Sequence, residues 1–360
     1  MKKKRGVLGR LILGLGAVIL LVLAASGVVG SILNRRQVTE AEPFRFTPNA
    51  DNRFAAVGDG LAVASSVTME LFGPDGAART ALTRGYPSPL LAAEGENAVV
   101  WGDGGTAATV LLSDGANREL SFQTPLLAAD VNGIGWSVFL NTEKGYKGCA
   151  TVYQPDGAAV YQVHLGSSYP IDGDLSPTAD RMALLSLLDN GSRVTLYALN
   201  AESPVAEWSA ENESFLELEY LEDGRLLLLS TDRAVFLDRA GKLLGSFGFQ
   251  QEFLKDYQTG GDGFVTLVLG KHKTGNAGRI LTLDHNGSLL SSLDISEEVR
   301  GLSAAGKGVA ALFGDRTVLY DELLAVTGTL DSTAGTQAAL MRSDGSALIL
   351  SGMGAAIYEP

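Results

Sequence analysis

Past an opening apolar stretch, the chain alternates short apolar runs with tight polar turns, and the alternation repeats. Each unit reads as an apolar strand, a turn, a second apolar strand, a third strand ending in an aromatic residue or leucine, and an Asp-Gly type turn. The end of the third strand is clearest in Leu71-Phe72-Gly73-Pro74-Asp75-Gly76, Leu111-Leu112-Ser113-Asp114-Gly115 and Val152-Tyr153-Gln154-Pro155-Asp156-Gly157. Weaker copies run from Leu196 to Asn200, Phe236 to Gly241, Leu283 to Gly287 and Leu319 to Glu322. Each turn carries the Gly, Asn or Asp that a positive φ requires. The turn between first and second strands falls near Asp59, Asn97, Asn132, Asp180, Asp223, Asp262, Lys307 and Asp344, seven steps of about 41 residues. That is the spacing of a four-stranded propeller blade. The pattern predicts an all-β, eight-bladed β-propeller, with seven blades as the alternative because the first unit is the least regular.

The two ends of the repeat fit one another. The last unit stops at Ile357-Tyr358-Glu359-Pro360, where its fourth strand is still missing, and Pro43-Phe44-Arg45-Phe46-Thr47 is a strand-like piece with no unit of its own. Placing that piece in the vacancy closes the ring and removes its last exposed edge. Second-strand runs such as Ala98–Trp101, Arg225–Leu229 and Ala347–Leu350 are nearly all apolar, as strands covered on both faces must be. Leu91-Ala92-Ala93 and Leu127-Ala128-Ala129 are richer in small residues, which suits the crowded strands beside the axis.

The opening stretch is of another kind. From Leu11 to Leu33 no charge interrupts about 23 residues, enough to cross ~30 Å of hydrocarbon as a helix. Five basic residues precede it, so the N-terminal tail is expected to stay in the cytoplasm and the rest of the chain to lie outside the cell membrane. Ala24 and Ser26 sit at the spacing of a signal-peptide cleavage site, but the apolar run continues past them, which favours an uncleaved signal anchor. No cysteine lies at the end of the segment to carry a lipid. The expected domains are a cytoplasmic basic tail over 1–10, a transmembrane anchor over 11–33, a linker over 34–42 and an extracytoplasmic propeller over 43–360.

Charge narrows the partners. The 360 residues carry a formal charge of −13, yet seven of the 28 basic residues and none of the 41 acidic ones lie in the first 36 positions. A body this acidic repels phosphate backbones, so nucleic-acid binding is excluded. With 44 glycines and 46% hydrophobic residues, many short strands and turns are expected rather than disorder. Cys149 is the one cysteine, so no intramolecular disulfide forms, and no thiolate metal site is expected within one chain.

With its anchor followed by repeats that end in Leu-Tyr-x-x-x-Gly type turns, the chain resembles an uncharacterised bacterial family of single-pass membrane proteins with a WD40-like or quinoprotein-like β-propeller. Ser176-Pro177-Thr178-Ala179-Asp180-Arg181 is similar to the Ser-Pro-Asp-Gly-Lys stretch of propeller repeats in translocation-associated periplasmic proteins, with the Asp-Gly replaced. The resemblance implies topology and location but no reaction.

The catalytic signatures are missing. Gly301–Lys307 matches a phosphate loop up to its lysine, but Gly308 stands where Ser or Thr is needed and no helix follows, so a structural turn is expected. Asp172 and Asp174 are read as turn residues rather than calcium ligands. His164, His272 and His285 fall in three different units, and neither a Gly-x-Ser-x-Gly elbow nor a His-Glu-x-x-His segment occurs. A quinone propeller would repeat Trp at its blade ends, where only Trp208 lies; Trp101 and Trp136 are assigned to second-strand core. No cofactor is expected.

Binding is expected on the face with the longer, variable loops. These loops, Asn141–Gly148, Lys271–Gly278 and the linkers Gly85-Tyr86-Pro87 and Ser168-Tyr169-Pro170, carry Tyr86, Lys144, Tyr146, Lys147, Tyr169, Lys271, His272 and Lys273. The lysines make two positive spots on an acidic body. The expected function is a non-enzymatic scaffold or sensor for an envelope protein or glycan; the alternative is a hydrolase, lyase or quinoprotein acting at the central channel. A catalytic channel would gather carboxylates, His or Arg with shifted titration, whereas a scaffold's would be plugged or featureless.

Overall fold

The computed structural model describes residues 43–360 apart from Ser332 and Ala334. The basic tail, the segment Leu11–Leu33 and the linker lie outside the described residues. Thirty-two strands form eight four-stranded antiparallel sheets, and no helix occurs among the described residues. The fold is an eight-bladed β-propeller, the larger of the two expected blade numbers.

The first strands of the blades, from Arg53–Val57 in blade 1 to Ala338–Met341 in blade 8, pack side by side around the axis. Second strands carry the core. Gly60–Ala64, Leu226–Ser230, Phe264–Gly270 and Gly308–Leu312 are buried at every position. Both faces of each such strand meet neighbouring blades, which explains runs without period-two alternation. Eight apolar clusters result, one at each junction between adjacent blades. Outer strands such as Leu243–Gly248 alternate exposed and half-buried positions instead, because their outward faces meet water.

The hairpin turns follow the chemistry of their residues. In the third-to-fourth turn of blade 3, Gly157 takes φ +90° while the Asp156 carboxylate accepts the Ala158 amide at 2.9 Å. Gly301–Ala305 is an inner strand and Gly306-Lys307 its turn, as the mismatch to a phosphate loop required. Trp136 departs from the expectation. It closes the first turn of blade 3 just before the second strand Ser137–Asn141, its amide donating to Asn132 Oδ1 at 3.0 Å.

Closure occurs as the ends of the sequence imply. The short strand Phe44–Arg45 is the outer strand of blade 8, with Phe44 opposite Ala355 and Arg45 opposite Gly354. Phe44 is fully buried and packs edge-on against Phe72 of blade 1 at 6.2 Å. Phe46 meets Phe54 at 5.2 Å, so one short segment ties blade 8 to blade 1. Gly76 lets the segment pass: at φ +79°, a Cβ there would lie 2.5 Å from the Pro43 carbonyl oxygen. Glu70 receives the Thr47 amide and hydroxyl, each at 3.0 Å.

Because Phe44 fills the junction where the ring closes, Phe44→Ala is expected to destabilise the propeller by about 3–5 kcal/mol in urea unfolding. A loss under about 1 kcal/mol would mean that the segment merely rests on the ring.

Candidate binding face and axial carboxylates

The inner strands of five successive blades turn acids toward the axis. They are Glu94 in blade 2, Asp130 in blade 3, Asp172 and Asp174 in blade 4, Glu217 and Glu219 in blade 5, and Asp256 in blade 6. Several cap amides of the next blade. Asp172 accepts from the Leu218 amide at 2.8 Å and Asp174 from the Tyr220 amide at 2.5 Å. Glu94 likewise receives the Gly133 amide, and Asp256 the Leu302 amide. In blade 7 a serine does the same work, Ser303 Oγ accepting from the Met341 amide at 2.9 Å. An inner strand has no sheet partner on its axial edge, so its amides need such acceptors once water is excluded.

Burial, joined in most of them by mutual repulsion, pushes these acids above the ordinary carboxylate range. Burial first, then Asp130, pushes Glu94 up from 4.5 to about 8. Asp172 rises to about 7 and Asp256 to about 6, in both cases mainly through burial. Asp130 and Asp174 hydrogen-bond to one another, and burial raises both. Glu219 is raised by burial and by Asp130 and Asp172; the Tyr257 hydroxyl donates to it at 3.1 Å. No histidine or arginine lies on these five inner strands.

Turns between first and second and between third and fourth strands share one face; the other face carries the remaining connections. There, at the border of blades 3 and 4, five residues make close contacts. Lys147 Nζ donates to the Tyr169 hydroxyl at 2.7 Å and lies 4.3 Å from the centre of that ring. Tyr146 stacks against His164 at 4.9 Å, and His164 Nδ1 pairs with Glu143 at 2.7 Å. Tyr146 and Tyr169 nevertheless remain 48% and 54% exposed, an aromatic surface held in place but open to a partner. The Lys147 amide, bonded to the Leu165 carbonyl at 2.6 Å, fixes the loop to the outer strand.

The sequence matches a family of unknown function, DUF5711, over residues 36–323. The chain belongs to the DUF5711 family. Solved structures similar to this DUF5711 member include the C-terminal WD40 domain of Sif2, at 13% identity and a TM-score of 0.62, covering 89% of this chain and 98% of that one. The β-propeller domain of Cps50 (Swd1) from Myceliophteria thermophila matches at 15% identity and 0.52, covering 75% and 95%. Kuenenia stuttgartiensis hydrazine synthase matches at 13% identity and 0.50, covering 76% and 96%. At such identities the likeness shows the fold alone, WD40-like. Among curated proteins none matches the chain.

Of the residues singled out from the DUF5711 sequence, Tyr146, Lys147 and Tyr169 come together, with Lys144 exposed on the same loop. The others do not. Tyr86 is half-buried, its hydroxyl 2.8 Å from Thr109 Oγ1, so it serves the blade 1–2 junction. Lys271, His272 and Lys273 are exposed three blades away. There Lys273 shares the lining of a cavity of about 380 Å³ with Glu297 and Glu298, so that spot is not purely positive. Asp172 and Asp174, read as turn residues, instead belong to the inner strand Tyr169–Leu175 and face the axis. The stretch Leu218-Glu219-Tyr220 was a signal for an axial acid: Glu219 takes the position between two buried residues.

These raised carboxyls make stability depend on pH. Between about pH 4.5 and 8 the folded ring holds protons that the unfolded chain has released, so stability falls as pH rises through that window. The lowered turn acids Asp180, Asp223 and Asp284 act in the other direction only at lower pH. The melting temperature is expected to be higher at pH 5.5 than at pH 8.5, with Glu94→Gln narrowing the difference. Equal melting temperatures in the unsubstituted protein would show that the axial acids titrate normally.

Proposed function

We propose that this protein is a membrane-anchored, extracytoplasmic binding scaffold or sensor in a bacterial envelope, presenting a rigid propeller face to another envelope protein or a glycan. The anchor is Leu11–Leu33, retained rather than cleaved, with the N-terminus in the cytoplasm. The observation that carries the binding role is the interlocked group of Tyr146, Lys147, Tyr169 and His164, which exposes two tyrosines at little entropic cost on binding. Tyrosines fixed in this way offer flat faces to sugar rings or apolar side chains, and Lys144 and Lys147 favour an anionic partner on an otherwise acidic body.

A second reading, an enzyme acting at the channel, is favoured by one feature, axial carboxyls pushed up toward neutral pH by burial. Weighing against it, their neighbours are amide donors and other acids rather than a nucleophile or a histidine. The Cys149 thiol, pushed up to about 11 mainly by burial, is no nucleophile at neutral pH either.

Photo-crosslinking from position 169 in the native membrane discriminates. A discrete adduct is expected, weakened about tenfold or more by Tyr146→Ala, a loss typical of an aromatic anchor. If no adduct forms, or if Tyr146→Ala leaves it unchanged, this face is not the binding surface.

A further inference from the structure

The same corner of blade 3 gathers three groups that share a chemistry. In the third and fourth strands, Gly148–Tyr153 and Ala159–Leu165, Cys149 lies opposite His164, so both side chains project from one face of the sheet as directly paired neighbours. The loop after the second strand then returns Glu143 over them. The thiol, imidazole and carboxylate donor atoms all lie within 4.8 Å of one another, and they are the one such trio of His, Cys, Asp or Glu among the described residues. We infer that Glu143, Cys149 and His164 form a binding site for a zinc-like divalent transition-metal ion.

The donor set selects the ion. A thiolate is too soft for magnesium or calcium, while an imidazole and a carboxylate beside it do not suit a monovalent copper site built on sulfur alone. One sulfur, one nitrogen and one oxygen are ordinary zinc ligands, and three protein ligands leave a fourth tetrahedral position for water or an incoming donor. Bonds of about 2.0–2.3 Å place tetrahedral donors roughly 3.4–3.7 Å apart, so the His164 and Glu143 donor atoms, 2.7 Å apart without the ion, open by about 0.7 Å to admit it. Glu143, on a loop, supplies that movement, whereas Cys149 and His164 are fixed by strand pairing. The ion replaces the proton that His164 Nδ1 and Glu143 share at 2.7 Å, and it displaces the proton on sulfur.

The surroundings are those of an oriented ligand set. Gln162 Nε2 donates to Thr151 Oγ1 at 3.2 Å, and the same hydroxyl lies 3.8 Å from the Cys149 sulfur. Once the thiol has lost its proton that hydroxyl donates to the sulfur, which stabilises the thiolate a metal requires. Tyr146 covers one side of the His164 ring and sets its plane. Cys149 is buried while Glu143 and His164 reach solvent, so the fourth position opens on the face that carries Tyr146 and Tyr169. The site stands whether or not that face has a partner.

Cobalt titration of the full-length, chelator-treated protein tests this inference. One equivalent of Co²⁺ is expected to produce a thiolate-to-cobalt charge-transfer band that Zn²⁺ removes by displacement. Cys149→Ser should abolish the band, and Glu143→Gln and His164→Ala should each weaken cobalt binding by about tenfold or more. No band at saturating cobalt, or an unchanged band in Cys149→Ser, overturns the proposal. X-ray absorption of the zinc-loaded, unsubstituted protein gives a reading that no misfolded variant can confuse. One sulfur at about 2.3 Å with nitrogen and oxygen at about 2.0 Å is expected; a shell without sulfur refutes the site.

Discussion

A circular array of sheets stands or falls with its last junction. Seven junctions here join blades that follow one another in the chain, but the eighth must join the final blade to the first, and no covalent neighbour enforces it. The segment Phe44–Thr47 does so by pairing with Gly354–Tyr358, filling the space against Phe72 and Phe54, and bonding to Glu70. Without that strand, blade 8 would present an open edge, and the axis would lose the geometry on which every inner strand relies.

The axis meets a second constraint, which the acids address. Inner strands pair on one side only, so amides on their free edges need acceptors that neither solvent nor a sheet supplies. Carboxyls of the preceding blade serve in blades 4 and 6, and a serine in blade 7. Concentrating acids from blades 2 to 6 would be costly if all were ionised. Their upward shifts let protonation relieve part of that repulsion while the acceptor oxygens are kept, which ties the rigidity of the channel wall to pH.

Much of the architecture was legible because blade periodicity is a one-dimensional property. Turn spacing set the blade number, the incomplete final unit pointed to Phe44 as its missing strand, and apolar runs without alternation marked the second strands. Side-chain direction at the axis was harder. Asp172 and Asp174 sit among turn-forming residues in the sequence, Ile171-Asp172-Gly173-Asp174, and only the irregular pairing after Pro170 in the structure places them on an inner strand. The nearness of Cys149 to His164 was hidden because counting cysteines says nothing of mixed donors. The pairing could have been found from the turn at Pro155-Asp156-Gly157, about which Cys149 and His164 are symmetrically placed.

The loop face inherits its rigidity from these constraints. Tyr146 and Tyr169 are fixed only because their blades are, and the blades are fixed only if the ring is shut. Native-state hydrogen exchange of the strand Gly354–Tyr358 measures that closure most directly. If the ring is sealed there, its amides exchange with the same free energy as those of the core strand Leu226–Ser230, through global unfolding alone. Exchange of Gly354–Tyr358 far faster than Leu226–Ser230 would show that blade 8 opens independently, and the closed-ring account would be wrong.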